Sequence, residues 1–309
     1  MFAIETVALE KTYSVGFWRK ATRQALKPLT LAVPEHEVFG FLGPNGAGKT
    51  TTLKLLMGLI FPTGGSAKIL GMSVDDPRVK AEIGYSPEQP YFYDYLTAHE
   101  LLRYYAQLSG VPAKEQEKRV EAVLERVGLR DIKKLQLRKF SKGMLQRVSI
   151  AQAIVHEPRM VFLDEPMSGL DPMGRREVRD LIQALKEEGK TIFFSTHILS
   201  DAETLCDRVA VVNKGELKGI GSIAELKTRR TGQVEVLWEG TSAIRELEAL
   251  TKEAHRSAEY WRAVVEDDQV YGAIELIRKN GGRLVSVTPM RETLEDYFFE
   301  RLNAQEVQR

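Results

Sequence analysis

The segment Gly43-Pro44-Asn45-Gly46-Ala47-Gly48-Lys49-Thr50-Thr51 constrains the fold more than any other part of this sequence. Its Gly-x-x-x-x-Gly-Lys-Thr spacing is that of a phosphate-binding P-loop, which works only between a strand and a helix. Both flanks comply. Val38 to Gly43 is a short apolar run of strand character, and Thr51 to Ile60 is apolar at helical spacing. Glycines there let backbone N–H groups converge on phosphate oxygens without Cβ clashes, at the positive end of a helix dipole. Lys49 is expected to neutralise β- and γ-phosphates, and the Thr50 hydroxyl to hold Mg²⁺. A nucleoside triphosphate, with Gly43 to Thr51 as its cradle, is the expected ligand.

A second segment belongs to the same chemistry. Met160-Val161-Phe162-Leu163-Asp164-Glu165 is four apolar residues ending in two acids. Asp164, at the strand's C-terminal end beside the P-loop, is expected to hold Mg²⁺ through water. Glu165 is expected to orient and deprotonate a water attacking the γ-phosphate. Strands often end in acids at a surface, so the preceding P-loop is what gives this one its meaning.

The rest of the chain reads as an α/β protein. Residues 2–10 and 29–42, AKILG, EIGYSPEQ, RMVFLDEP, TIFFSTH and RVAVVNKG have strand character, with a helix around Arg175–Glu188. From Thr97 to about Arg138, Leu101, Leu102, Tyr105, Leu108, Val120, Val123, Leu124 and Val127 keep three- and four-residue spacing, a helical insertion. Strands separated by helices argue for a buried, mostly parallel sheet. The basic, aromatic stretch from Tyr13 to Lys27 fits either a hairpin or a surface helix. The expected division is 1–228 for a P-loop NTPase domain, with a helical subdomain at about 97–158, and 229–309 for a small C-terminal α+β domain. In the latter VEVLWE, YWRAVVE and RLVSVTP read as strands, 242–252, QVYGAIELIRKN and 292–302 as helices, and Gly281-Gly282 as a helix end. That piece has no paired carboxylates, metal spacing or glycine loop, so dimer contact, regulation or docking is its expected job.

Charge and cysteine usage narrow the function. Lys plus Arg number 44 against 43 Asp plus Glu, a net +1, which gives no broad basic footprint for nucleic acid. A single cysteine, Cys206, excludes an internal disulfide framework and a multi-cysteine zinc site. MFAIETVALE has no secretory pattern, and runs such as LLMGLIF are too short to span a bilayer. A cytoplasmic chain is expected, attached to a membrane only through a partner.

Taken together, these segments resemble the ATP-binding subunit of an ABC transporter, over residues 1 to about 228. Gly43–Thr51 matches that family's Walker A motif, and Met160–Glu165 its Walker B motif with the catalytic glutamate. Gln89 in GYSPEQPYFYDYLT matches the Q-loop glutamine, which the resemblance places between Mg²⁺, the attacking water and the membrane subunits. Ser168-Gly169-Leu170-Asp171 matches the D-loop, and His197 in FFSTH the switch histidine that reaches the γ-phosphate. FSKGMLQR, Phe140 to Arg147, aligns with the Leu-Ser-Gly-Gly-Gln signature. Phe140, Lys142 and Met144 depart from it, while Ser141 and Gly143 remain to contact a γ-phosphate across a dimer. This variant, with Thr293-Leu294-Glu295-Asp296-Tyr297-Phe298 near the C-terminus, resembles the branch serving ABC-2 type exporters. The family stacks adenine on an aromatic of the first strands, and Tyr13 is preferred there over Phe17 and Trp18.

The resemblance implies a transport ATPase using ATP and Mg²⁺, partnered by an integral-membrane permease and a second copy of itself or a paralogue. Export is implied by the branch alone, and the substrate is chosen by the permease. A soluble ABC ATPase acting on nucleic acid or ribosomes is the alternative, disfavoured by neutral charge and the lack of tandem domains, coiled coil or zinc cysteines. An unrelated P-loop kinase or GTPase leaves the signature, D-loop and His197 unexplained.

Overall fold

The computed structural model describes residues 1–15, 21–228, 230–240, 253–257 and 260–291. The described residues from Met1 to Ser222 form one compact unit and those from Ile223 to Arg291 another.

The first unit opens with a long antiparallel hairpin, β1 (Phe2–Val15) and β2 (Ala21–Pro34), which decides the Tyr13–Lys27 question in favour of strands. β3 (Val38–Leu42) leads into α1 (Lys49–Leu56), then β4 (Gly64–Ile69), β5 (Met72–Ser73), α2 (Val79–Glu82) and β6 (Ile83–Ser86). Three helices follow, α3 (Ala98–Leu108), α4 (Ala113–Arg126) and α5 (Lys142–Ile154). The core resumes with β7 (Met160–Asp164), α6 (Pro172–Glu187), β8 (Thr191–Thr196), α7 (Leu199–Leu205), β9 (Arg208–Asn213) and β10 (Glu216–Ser222).

Six strands form one sheet in the order β10-β9-β3-β8-β7-β6, parallel throughout except for β10 against β9. β3, β7 and β8 are buried at every residue, which is why they read as unbroken apolar runs rather than alternating ones. Phe193 is the hub of their packing, its ring centroid 5.6 Å from Phe39, 5.4 Å from Phe41 and 5.8 Å from Phe162. The sheet is the expected mostly parallel one, but 29–42 is not continuous strand. β2 ends at Pro34, His36 adopts φ +65°, and β3 starts at Val38 in a different sheet. β1, β2, β4 and β5 make that second, antiparallel sheet.

The helical insertion starts at a capping box. Thr97 Oγ1 accepts the Glu100 N–H at 3.2 Å, and the Glu100 carboxylate accepts the Thr97 N–H at 2.8 Å. Leu101, Leu102 and Ala106 of α3 are buried, as are Val120, Val123 and Leu124 of α4; Leu108, on the same periodic stripe, is exposed.

The second unit holds α8 (Ile223–Thr228), β11 (Arg230–Glu239), β12 (Glu253–Ser257), β13 (Tyr260–Glu266), α9 (Val270–Lys279) and β14 (Arg283–Arg291). Its antiparallel sheet runs β12-β13-β11-β14, and β12 is a strand the sequence pattern does not reveal. Val234, Val236, Trp238, Ala263 and Val265 pack on Ala273 and Ile277 of α9. Gly281, at φ +76°, ends that helix as expected, with the Gly282 N–H donating to Ile277 O at 2.8 Å. The helices expected over 242–252 and 292–302, the Thr293–Phe298 motif, and Phe17 and Trp18 lie outside the described residues.

At the start of β3 burial pushes the Glu37 carboxyl up to about 7, against Arg208 and Lys186 and with help from Asp207. Between the ordinary value of 4.5 and about 7 the unfolded chain releases a proton that the folded chain keeps. Stability is therefore lost as pH rises through that window. Glu37→Gln is expected to stabilise the protein at pH 8 by about 1–3 kcal/mol. The gain should vanish well below pH 4.5, where Glu37 is protonated in both states; urea unfolding at pH 8 and at the acid end checks this.

Candidate active site

The P-loop leaves the C-terminal end of β3, in the middle of the parallel sheet, where crossing connections open a crevice in such folds. Gly48 sits at φ +108°, and a Cβ there would fall 2.7 Å from the Ala25 carbonyl oxygen of β2. Only glycine lets the loop turn into α1 against that strand. Asn45, Gly46, Gly48, Lys49, Thr50 and Thr51 line a cleft of about 350 Å³ with Arg23, Ala25, Glu88 and Glu165. Gly43 and Ala47 are buried behind it, and Pro44 is exposed at its edge. The Gly43 N–H donates to Thr196 O at 3.3 Å and the Ala47 N–H to Pro44 O at 3.1 Å, fixing the loop's shape.

Charge inside the cleft is tightly arranged. The buried Lys49 ammonium donates to Gly43 O at 2.8 Å and Pro44 O at 3.3 Å, and lies 3.1 Å from Glu165 Oε1. The other Glu165 oxygen lies 2.8 Å from Nδ1 of His197, just past the end of β8. One buried carboxylate is thus held between an ammonium and an imidazole. Glu165 itself adopts φ +49°, a strained conformation for a side-chain-bearing residue. Its N–H donates to Ser195 Oγ at 3.1 Å, and that hydroxyl donates to Asp164 Oδ1 at 2.5 Å, so Ser195 orients both acids. Burial, Asp164 and Glu88 push the nearby Tyr85 phenol up to about 12, which keeps it protonated.

Not every expected residue lies in this cleft. Gln89 is exposed in the loop after β6, and among the described residues it is Glu88 that lines the cleft. Tyr13 pairs with Arg23 across the hairpin, so the two share a face. It stands one strand out from the cleft, its ring 5.2 Å from the Lys11 ammonium.

Ser141, Gly143 and Asp171 gather in a separate concavity of about 440 Å³, with Lys142, Gly169 and Glu177. Two helices begin there. Ser141 Oγ accepts the Met144 N–H at 3.2 Å to cap α5, and Asp171 Oδ1 accepts the Gly174 N–H at 2.9 Å to cap α6. The two concavities share no lining residue. Their elements are linked: the Ser149 hydroxyl of α5 bonds that of Ser86 at 2.7 Å, and Gln152 donates to Tyr85 O. Both bonds fall on β6, which leads into the Glu88–Gln89 loop.

The ABC transporter family profile matches residues 26–168. An ABC transporter ATP-binding protein of Synechocystis sp. is 46% identical, over 97% of this chain and 84% of its own length. The chain belongs to the ABC transporter ATP-binding family. A fluoroquinolones export ATP-binding protein of Mycobacterium tuberculosis is 40% identical, over 72% of this chain and 74% of its own length. A solved ATP-binding cassette, dimeric and bound to ADP and Pi after hydrolysis, superposes with TM-score 0.64 at 26% identity, covering 71% of this chain and 98% of that one. This ABC protein is therefore the ATP-hydrolysing subunit of a transporter, and a nucleic-acid-directed role finds no support among these relatives. Among the described residues no helix is long and apolar enough to cross a membrane.

Three cleft residues of this ABC subunit escape sequence reasoning: Arg23, Ala25 and Glu88. The first two were hidden by the undecided conformation of 13–27. Once that stretch is paired as a hairpin, Arg23 and Ala25 alternate onto one face of β2. Glu88 differs from Gln89 by one position in a loop, where no periodicity says which side chain faces inward.

Proposed function

We propose that this subunit binds MgATP on its P-loop, completes each site with the signature of a second subunit, and drives export through a permease on the inner face of the cell membrane. The observation that carries the catalytic part is the buried Glu165 carboxylate, 3.1 Å from Lys49 and 2.8 Å from His197 in the P-loop cleft. Lys49 is paired with Glu165. An entering γ-phosphate competes for the same ammonium and frees the carboxylate to take a proton from water, with His197 holding its other oxygen. The Thr50 hydroxyl in the cleft and the Asp164 carboxylate held by Ser195 are hard oxygens that would suit Mg²⁺, while Gln89 would have to move in from its exposed loop to join them. When bound there, Mg²⁺ would supply charge neutralisation for the phosphate oxygens. Tyr13, on the face it shares with Arg23, is the candidate platform for the adenine ring. The fluoroquinolone export for which the mycobacterial relative is named supports export, and the separate Ser141–Gly143–Asp171 concavity supports a site shared by two subunits.

Lys49→Ala tests the P-loop half. It should lower ATP affinity about ten- to a hundredfold through loss of charge-assisted hydrogen bonds. It also strands a buried carboxylate, so the nucleotide-free protein should lose about 3 kcal/mol. Calorimetric titration and thermal unfolding measure the two effects; unchanged affinity contradicts the reading. The transport half is tested by affinity capture from detergent-solubilised membranes, which should recover an integral-membrane permease. Recovery of ribosomal or nucleic-acid partners instead would overturn it.

A further inference from the structure

Lys142 is the departure from the signature pattern whose effect the sequence leaves without a sign. It is the first residue of α5, between Ser141 and Gly143, and all three line the same concavity. The other charged side chains there are engaged. Arg147 pairs with Glu177 at 3.4 Å and donates to Val127 O at 2.9 Å, and Asp171 caps α6. The Lys142 ammonium instead rests on the backbone of the Ser168–Asp171 loop: a Cβ added to Gly169 would fall 2.1 Å from it. Among the described residues no carboxylate pairs with it.

We propose that Lys142 is a phosphate-binding residue acting across the dimer, its ammonium joining Ser141 and Gly143 on the γ-phosphate held by the facing subunit's P-loop. The proposal rests on the shared-site reading above and gives this signature variant its chemistry. An exposed ammonium at the start of a helix adds a full charge to the positive end of the dipole, where an incoming triphosphate would arrive. Its resting contact is with a glycine backbone and not an acid, so no ion pair must break before it turns to phosphate. The four-carbon stem supplies reach, while Gly169, at φ +66° and without a side chain, leaves room for the ammonium in the open chain. Lys142 thus strengthens ATP-driven closure without touching the P-loop of its own subunit. It favours triphosphate over diphosphate, because its target is the γ-phosphate.

The test uses the full chain with the arrested Glu165→Gln background, so that ATP is not consumed. Sedimentation velocity gives the dimer dissociation constant in ATP for this parent and for its Lys142→Met and Lys142→Arg derivatives. Two symmetric sites each lose one charge-assisted contact, so Lys142→Met should weaken ATP-driven dimerisation about a hundredfold, at about tenfold per site. Lys142→Arg should keep most of the affinity. ATP titration of the dilute monomers should give the same dissociation constant for all three, which also verifies folding. A Lys142→Met protein that dimerises as tightly as its parent overturns the proposal, leaving Lys142 a solvated surface lysine. Equal weakening by Met and Arg overturns it as well, since charge is then not the cause. A parent that stays monomeric in ATP removes the shared-site reading, and the proposal with it.

Discussion

Glu165→Gln is expected to stop turnover while leaving ATP binding intact or stronger. The amide keeps the side chain's size but cannot take the proton of the attacking water, and losing a general base costs on the order of 10²–10⁴ in rate. The direction of the binding effect follows from the cleft. The carboxylate sits 3.1 Å from Lys49 and would compete with phosphate for that ammonium. A neutral amide ends the competition, while Lys49 keeps the Gly43 and Pro44 carbonyls as acceptors, so the fold should tolerate the change. Turnover measured with the cognate permease, beside ATP affinity of the isolated chain, checks both halves. Near-wild-type hydrolysis would remove Glu165 from the role of base. Markedly weaker ATP binding would contradict the competition between Glu165 and phosphate.

Ser141→Arg is expected to abolish hydrolysis from a concavity separate from the P-loop cleft. Ser141 is absent from the lining of the P-loop cleft, so a bulky cation there should leave ATP binding to the monomer nearly unchanged. It loses the cap on α5, a cost of about 1 kcal/mol that the buried face of that helix should absorb. In the homodimer an arginine at each signature would occupy the place of the facing γ-phosphate, so both shared sites would be blocked. Mixing Ser141→Arg with Lys49→Ala subunits should restore activity, because each heterodimer contains one intact site: the P-loop of the first facing the signature of the second. Mixtures as inactive as the separate variants would show that one intact site is not enough, or that the sites are not shared.

How legible this was in the sequence depended on the kind of constraint each residue obeys. β3, β7 and β8 are buried on both faces, so their apolar runs and terminal acids announce a parallel sheet and the position of Asp164 and Glu165. The P-loop glycines are dictated by backbone geometry and were equally plain. The second, antiparallel sheet was not, because register shifts and the positive φ of Ala8 break the alternation of β1. Arg23 and Ala25 depended on that pairing. The Lys49–Glu165–His197 arrangement depended on three elements meeting at the ends of neighbouring strands, which no local pattern encodes. Lys142 on Gly169 is a contact between a helix start and a loop, visible only once α5 and the Ser168–Asp171 turn are folded together.

The most direct measurement is the ATPase rate per subunit as a function of protein concentration, taken well below and well above the dimer dissociation constant. Binding that joins two faces stabilises only the closed pair, which makes activity depend on association. The shared-site account predicts a rate per subunit that rises in proportion to concentration at the dilute end and levels off once dimers dominate. A rate per subunit that stays flat into the range where sedimentation shows only monomers would contradict it.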